Sequence, residues 1–210
     1  MHRNSPTSSW ISRKISRTHL KKPPHLHRNS RETHSKSNPG RHGHFFSDSS
    51  FKDKWGTSAQ IIEGHKSYLH IISASSTTTG HPEDQEVYRS EMAGLLQIFM
   101  IIKTLCGKYN IEEGVITAAC DGPNAIRMTM DRHTSFSSRT NHFDMISAIN
   151  SKIQNSPIQC KWRHVKGHQD EYFFPLDRWD FLNVECNHDA NRRWSQDQEN
   201  SQRPNPSHNF

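Results

Sequence analysis

The first 44 residues contain a single acid, Glu32, beside ten lysines and arginines, so this segment carries a net charge of +9. The other 17 basic and 20 acidic residues leave the remainder at −3, so the basic balance belongs to one end of the chain. No stretch approaches the ~18 consecutive apolar residues of a membrane-crossing helix, and none has the apolar core of a secretory signal. No membrane partner is expected, and the expected compartment is intracellular, nucleus or cytoplasm. Paired cysteines are also lacking: Cys106, Cys120, Cys160 and Cys186 lie far apart and form no CxxC. That spacing argues against a zinc ribbon or a disulfide scaffold and suits reduced thiols acting as small buried hydrophobes. Apolar residues make up only 31%, low for a chain packed along its whole length.

What is present divides the chain. Residues 1–44, with "KKPPHLHRNS" and "SKSNPGRHGH", have no apolar periodicity and read as a disordered basic tail. An electrostatic arm for nucleic acid and a solvated leader are both open readings. An organelle transit peptide fits the Arg- and Ser-rich composition but lacks an amphipathic stripe, and the seven histidines have no metal-ligand spacing. Residues 45–195 form the expected domain, and 196–210 a second disordered tail.

Within the domain, "HFFSDSSF", "WGTSAQII" and "SYLHIISAS" are three strands of an antiparallel meander. In residues 87–109, Met92, Leu95, Leu96, Phe99, Ile102 and Leu105 recur at spacings of three and four, which predicts a long helix ended near Gly107. "GVITAACDG" is a small, continuously apolar run and predicts a central strand covered on both faces. Two helices follow in "GPNAIRMTM" and "NHFDMISAINSKI", then a strand in "IQCKWRHV" and a last helix in "LDRWDFLNVECNHDANRRW". The order β-β-β-α-β-α-α-β-α implies an α/β fold with a mixed five-stranded sheet and helices packed against it.

Three acids fall where such a sheet concentrates them. Asp48 follows the apolar start of the first strand, Asp121 ends the fourth, and Glu91 sits in the first turns of the long helix. Taken singly, Asp48 and Asp121 are ordinary turn residues and Glu91 an ordinary helix-start acid. With the first strand beside the fourth, Asp48 and Asp121 come together.

The runs "FFSDSSFKDKWGTSAQII", "YRSEMAGL", "ACDGPNAI" and "WRHVKGHQD" with "LNVEC" after it resemble, in order, the type 1 ribonuclease H domain, particularly versions within retrotransposon reverse-transcriptase polyproteins. The resemblance covers residues 45–194 or so. It implies a ribonuclease H-like fold with strand order 3-2-1-4-5 and an endonuclease that hydrolyses the RNA strand of an RNA–DNA hybrid with two Mg2+ ions, Mn2+ being able to substitute. Hard divalent ions prefer oxygen ligands, and clustered carboxylates offset the repulsion between two dications.

Position by position, the resemblance implies Asp48, Glu91 and Asp121 as metal ligands and His168 as a mobile proton-transfer histidine. Ser49, Arg89 and Lys166 are the implied nucleic-acid contacts, Arg89 having an exposed helix-start arginine as its equal alternative. Trp162, Trp179 and Trp194 are read as core rather than as base-stacking platforms. The family's last helix reads Asn-x-x-Cys-Asp. Asn183 and Cys186 keep that register, which sets Asn187 in the place of the fourth carboxylate, able to offer only a neutral amide oxygen. Asp189 lies two positions on, about 200° around the helix, pointing inward, so that either the helix frays there or Arg192 or Arg193 meets the acid. "DSS" also replaces the usual "DGS" after the first strand.

Weakened chemistry is the resulting expectation. The alternative is a catalytically inactive nucleic-acid-binding remnant of a retrotransposon domain. A different nuclease or integrase of the same superfamily is more distant, because "VKGH" points to the ribonuclease H branch. No segment resembles the paired aspartates of a reverse transcriptase, so a solitary, monomeric domain without a small-molecule cofactor is expected.

Overall fold

The computed structural model describes residues 10–11, 42–64, 71–130, 137–171 and 175–202. The elements in chain order are β1 (Trp10–Ile11), β2 (His42–Lys52), β3 (Trp55–Gly64), β4 (Ile71–Thr77), α1 (Val87–Tyr109), β5 (Gly114–Cys120), α2 (Pro123–Met130), α3 (Phe143–Gln154), β6 (Ile158–His164) and α4 (Arg178–Gln202). They build one sheet in the order β1-β4-β3-β2-β5-β6. β2 to β4 are antiparallel neighbours, whereas β5 runs parallel to β2 and β6 parallel to β5. Without the short β1, this is the expected mixed five-stranded order 3-2-1-4-5 with flanking helices.

Three boundaries differ from expectation. β2 begins at His42, opposite Val115 of β5, three residues ahead of the expected domain start. α4 runs on to Gln202, and its last turns are held by Thr77 Oγ1 donating to Asp197 Oδ2 at 2.6 Å and by Arg193 paired with Asp197 at 3.0 Å. The long helix passes through Gly107 and stops at Asn110, which takes a left-handed φ of 49° and donates its N–H to Cys106 O. Trp10 and Ile11, from the segment read as disordered, pair with Ala74 and Ser73 of β4. The rest of that tail up to residue 41, the C-terminal residues 203–210 and the expected start of the third strand at 67–70 lie outside the described residues.

β2 organises both faces of the sheet because alternate residues point opposite ways. Phe45 joins the larger core, in which Met92, Leu95, Ile98 and Phe99 of α1 meet Ile116 and Ala118 of β5 and Met145, Ile146 and Ile149 of α3. Phe46 faces the other way, into a smaller core with Ile61, Ala119, Val165, Leu182 and Cys186 that α4 closes. Further along, Ser47 lies under α1, while Asp48 and Ser50 are bonded to side chains of α4. β5 is sandwiched as its small apolar sequence requires, with Ala118, Ala119 and Cys120 all buried. α1 is long and apolar enough to cross a membrane, yet eleven of its 23 residues are buried within this protein.

Of the three tryptophans read as core, Trp162 and Trp179 pack against the two cores and Trp194 against neither. Trp162 meets Phe99 at 5.8 Å between ring centroids, and Trp179 meets Phe46 at 4.9 Å. Trp194 donates its indole N–H to Lys52 O at 3.1 Å. All four cysteines are free, Cys160 being half-buried and the others buried.

α1 comes closest to the sheet at Gly94, where a Cβ would lie 2.0 Å from Ser47 Oγ and 3.5 Å from Ser58 Cβ. Rotation of one hydroxyl would admit a methyl group there, but not a branched side chain. Gly94→Val is expected to lower unfolding free energy by about 2 kcal/mol, measured by urea denaturation. A variant as stable as the natural chain would contradict this docking of α1.

Candidate active site

The parallel register of β2 and β5 brings the first two acids together. Its last pair is Ser47 with Cys120, so Asp48 and Asp121 are the next residue of each chain segment. Glu91 reaches the same place from α1. Gly122, after Asp121, leaves the space it needs, since a Cβ there would stand 2.3 Å from Glu91 Oε2. Gly167 does the same for Asp121, whose Oδ2 would lie 2.8 Å from an added Cβ.

This site is poor in solvent for the charge it holds. Asp48 is 6% exposed, and burial, followed by the charges of Asp121 and Glu91, pushes its carboxyl from 3.8 to about 8. The Ser49 backbone N–H, donating to Asp48 Oδ1 at 2.6 Å, only partly offsets this. Burial and Asp121 raise Glu91 from 4.5 to about 7. Burial also raises Asp121, opposed by its own backbone N–H and by the charges of His168 and His164. Asp48 and Asp121 therefore titrate as a pair, and burial pushes both carboxyls up.

Asp121 Oδ1 is buried and has no hydrogen-bond partner. Among the described residues no three His, Cys, Asp or Glu side chains form a preassembled metal cage. The donors that do meet are carboxylate oxygens that repel one another, one of them orphaned. This set fits an oxygen-seeking divalent cation such as Mg2+ or Mn2+ and not a thiolate- or imidazole-seeking one.

His168 follows Gly167 on the loop after β6, with a left-handed φ of 55°. Its side chain is 74% exposed and lies 3.5 Å from Glu171 Oε1, yet is near enough to Asp121 for its charge to favour the ionised carboxyl. Lys166 is exposed on the same loop, and Ser49 is half-buried beside Asp48.

Arg89 requires correction as a nucleic-acid contact. It is 5% exposed and grips Asp144 of α3 with both terminal nitrogens at 3.1 and 2.6 Å, while its Nε donates to Thr79 O at 2.8 Å. It is neither a phosphate ligand nor an exposed helix-start arginine. The cleft beside it, about 390 Å3, is lined by Glu83, Asp84, Glu86 and Asp144 among others, and four carboxylates there repel phosphate. Asp189 is half-buried and meets Arg192 at 2.6 Å, one of the two arginines expected to pair with it, and the helix does not fray there. Asn187 Oδ1 accepts from Asn191 Nδ2 at 2.8 Å, so its amide oxygen is already engaged.

One site residue went unassigned in the sequence. Asn183, 2% exposed, donates from Nδ2 to Asp48 Oδ2 at 3.4 Å. Its only sequence signal is the Asn-x-x-Cys register, which marks the helix without saying what the amide touches.

The close approach at Gly122 gives a direct test of the cluster. Gly122→Ala must drive the Glu91 carboxyl away from Asp121, and its pKa is expected to fall from about 7 toward the ordinary 4.5. Side-chain carboxyl NMR titration reads this, and an unchanged Glu91 titration would show that the contact does not hold it.

No protein-family model matches the chain, and no curated protein matches it. Solved structures similar to it include the N-terminal RNase H domain of a Mycobacterium tuberculosis protein, studied as a fusion with maltose-binding protein, at 11% identity and a TM-score of 0.40 over 72% of this chain and 99% of that one. RNase H1 from the halophilic archaeon Halobacterium salinarum is similar at 12% identity and a TM-score of 0.43, over 71% and 99% of the two chains. LC11-RNase H1, solved in complex with an RNA/DNA hybrid, is similar at 13% identity and 0.47, over 70% and 98%. The strand order 3-2-1-4-5, with a long helix between the third and fourth strands, is the one that the sequence resemblance implies.

Proposed function

We propose that this chain is a metal-dependent endonuclease that hydrolyses the RNA strand of RNA–DNA hybrids. One observation carries the reading: Asp48, Glu91 and Asp121 converge from two strands and a helix at one point, where burial raises all three carboxyls and their mutual charge raises Asp48 and Glu91 further. Such an arrangement is unfavourable for folding and is explained by a cationic partner. Divalent ions bound there would supply a water acidified for attack and charge neutralisation at the leaving oxygen.

The chain's own residues supply the rest. Asp48, Glu91 and Asp121 would hold the cations, and Asn183 with the Ser49 N–H orients the Asp48 carboxyl. His168 is assigned the proton transfer to the departing ribose oxygen, from an exposed loop that lets the ring swing between Asp121 and solvent. Lys166 on that loop and Ser49 beside the cluster are assigned to the hybrid's phosphates. The sequence resemblance extends to retrotransposon domains, and we propose that ancestry for this one.

A non-catalytic hybrid-binding remnant is the second reading, favoured by Asn187. An uncharged side chain stands at the fourth position and its oxygen is taken by Asn191, which weakens binding of a second ion.

The test is cleavage of an end-labelled RNA–DNA hybrid in Mg2+ and in Mn2+. The natural chain is expected to cut slowly, Asp121→Asn to lose cutting by about a thousandfold or more, and Asn187→Asp to cut about tenfold faster. Folded, hybrid-binding protein that cuts in none of these versions would remove the enzyme reading and leave the binding remnant.

A further inference from the structure

Asn183, Asn187 and Asn191 stand four residues apart on α4 and therefore form one stripe along the helix. The outer two are fixed on β2. Asn183 Nδ2 donates to Asp48 Oδ2 at 3.4 Å, and Asn191 Oδ1 accepts from Ser50 Oγ at 2.8 Å. Asn187, between them, faces the stretch of β2 that carries the catalytic-type aspartate.

The neighbours of Asn187 decide which end of its amide is free. One end of the Asn191 amide lies 3.0 Å from the backbone oxygen of Asn187, which can only accept, so that end is the NH2 group. Its other end is then an oxygen, as the bond from Ser50 requires. The same NH2 group lies 2.8 Å from the Asn187 side chain, so the atom it meets is Oδ1. Turning Asn187 over would set two NH2 groups face to face. The Asn187 NH2 group consequently points away from Asn191, on a half-buried side chain with no bonded protein partner among the described residues.

We infer that Asn187 is a hydrogen-bond donor to a phosphate oxygen of the bound hybrid and not a cation ligand, with Asn191 the positioning residue that holds its amide in that sense. This rests on the hybrid-nuclease reading of the site. A carboxylate at this position would present oxygen to a cation whichever way it turned. The asparagine, held by Asn191, presents only N–H to an incoming group, and N–H is what an anionic oxygen accepts. Asn187 thus shifts the fourth position from cation binding to substrate binding, and Asn191 with Ser50 enforces the shift.

Two readouts on the full chain separate these roles: hybrid affinity in EDTA by fluorescence anisotropy, and Mn2+ affinity of the nucleic-acid-free protein by electron paramagnetic resonance. Asn187→Ala suits a half-buried helix interior and leaves Asn191 its bond to the backbone of residue 187, so it is expected to fold. It should weaken metal-free hybrid binding about three- to tenfold and leave the Mn2+ dissociation constant within about twofold. Asn191→Ala, which releases the Asn187 amide to turn, should weaken hybrid binding less and tighten Mn2+ binding. If Asn187→Ala instead weakens Mn2+ binding while hybrid affinity holds, Asn187 is a ligand through its oxygen and the inference is overturned. It is equally overturned if neither affinity moves. A natural chain that binds no hybrid at all would remove the nuclease reading itself, and this inference with it, before any variant is compared.

Discussion

Three carboxyls meeting where water is scarce is the constraint on which the rest of this structure turns. Burial raises Asp48, Glu91 and Asp121, and the neighbouring carboxylates add to the rise at Asp48 and Glu91, so the folded chain holds protons there that the unfolded chain gives up. For an acid raised in this way, the contribution to stability is full below the unfolded pKa and is lost as pH rises through the folded one. With Asp48 at about 8 and Glu91 at about 7, the loss spans about pH 4 to 8. The fold accepts that loss at neutral pH, and the divalent cation proposed for the site would offset it.

The supporting structure is arranged around this cost. β2 carries large apolar residues, Phe45 and Phe46, where it lies between the two cores, and small polar ones, Ser47, Ser49 and Ser50, where it leaves them. The small residues admit α1 at Gly94 on one face and the asparagines of α4 on the other. α4 is correspondingly two-sided. Leu182 and Cys186 pack on Phe46, while Asn183, Asn187 and Asn191 run along Asp48 and Ser50. The helix that seals the smaller core therefore also presents the polar edge of the site.

Local periodicity made much of this legible in the sequence. The long helix spans residues 87–109 as its apolar spacing indicates, whereas the β2–β5 adjacency that unites Asp48 and Asp121 was implied by the family resemblance and not by the order of the elements. Arg89 was not legible, because a position two before Glu91 reads the same whether the side chain faces solvent or Asp144, its partner 55 positions away. Gly107 misled because a glycine is tolerated inside a helix whose packing is strong, and Asn110 provides the stop. The engagement of the Asn187 oxygen depends on Asn191 being held by Ser50, a contact between residues 141 positions apart, which no helix register contains.

The most direct test of the central claim is unfolding stability against pH, with and without Mg2+, for the natural chain and Asp48→Asn. Glu63 and Asp144 do not confuse the window. Burial raises Glu63, but His44 and Arg178 more than offset it, and Arg89 lowers Asp144, so both contribute until pH falls below their ordinary 4.5 and 3.8. The natural chain without Mg2+ should lose stability steadily from about pH 5 to 8, and Asp48→Asn should flatten that slope, raising the melting temperature at pH 8 by several degrees. Mg2+ should stabilise the natural chain at pH 8 and the variant much less. A metal-free natural chain whose stability is level or rises across this window, unaffected by Mg2+ or by Asp48→Asn, would contradict the account.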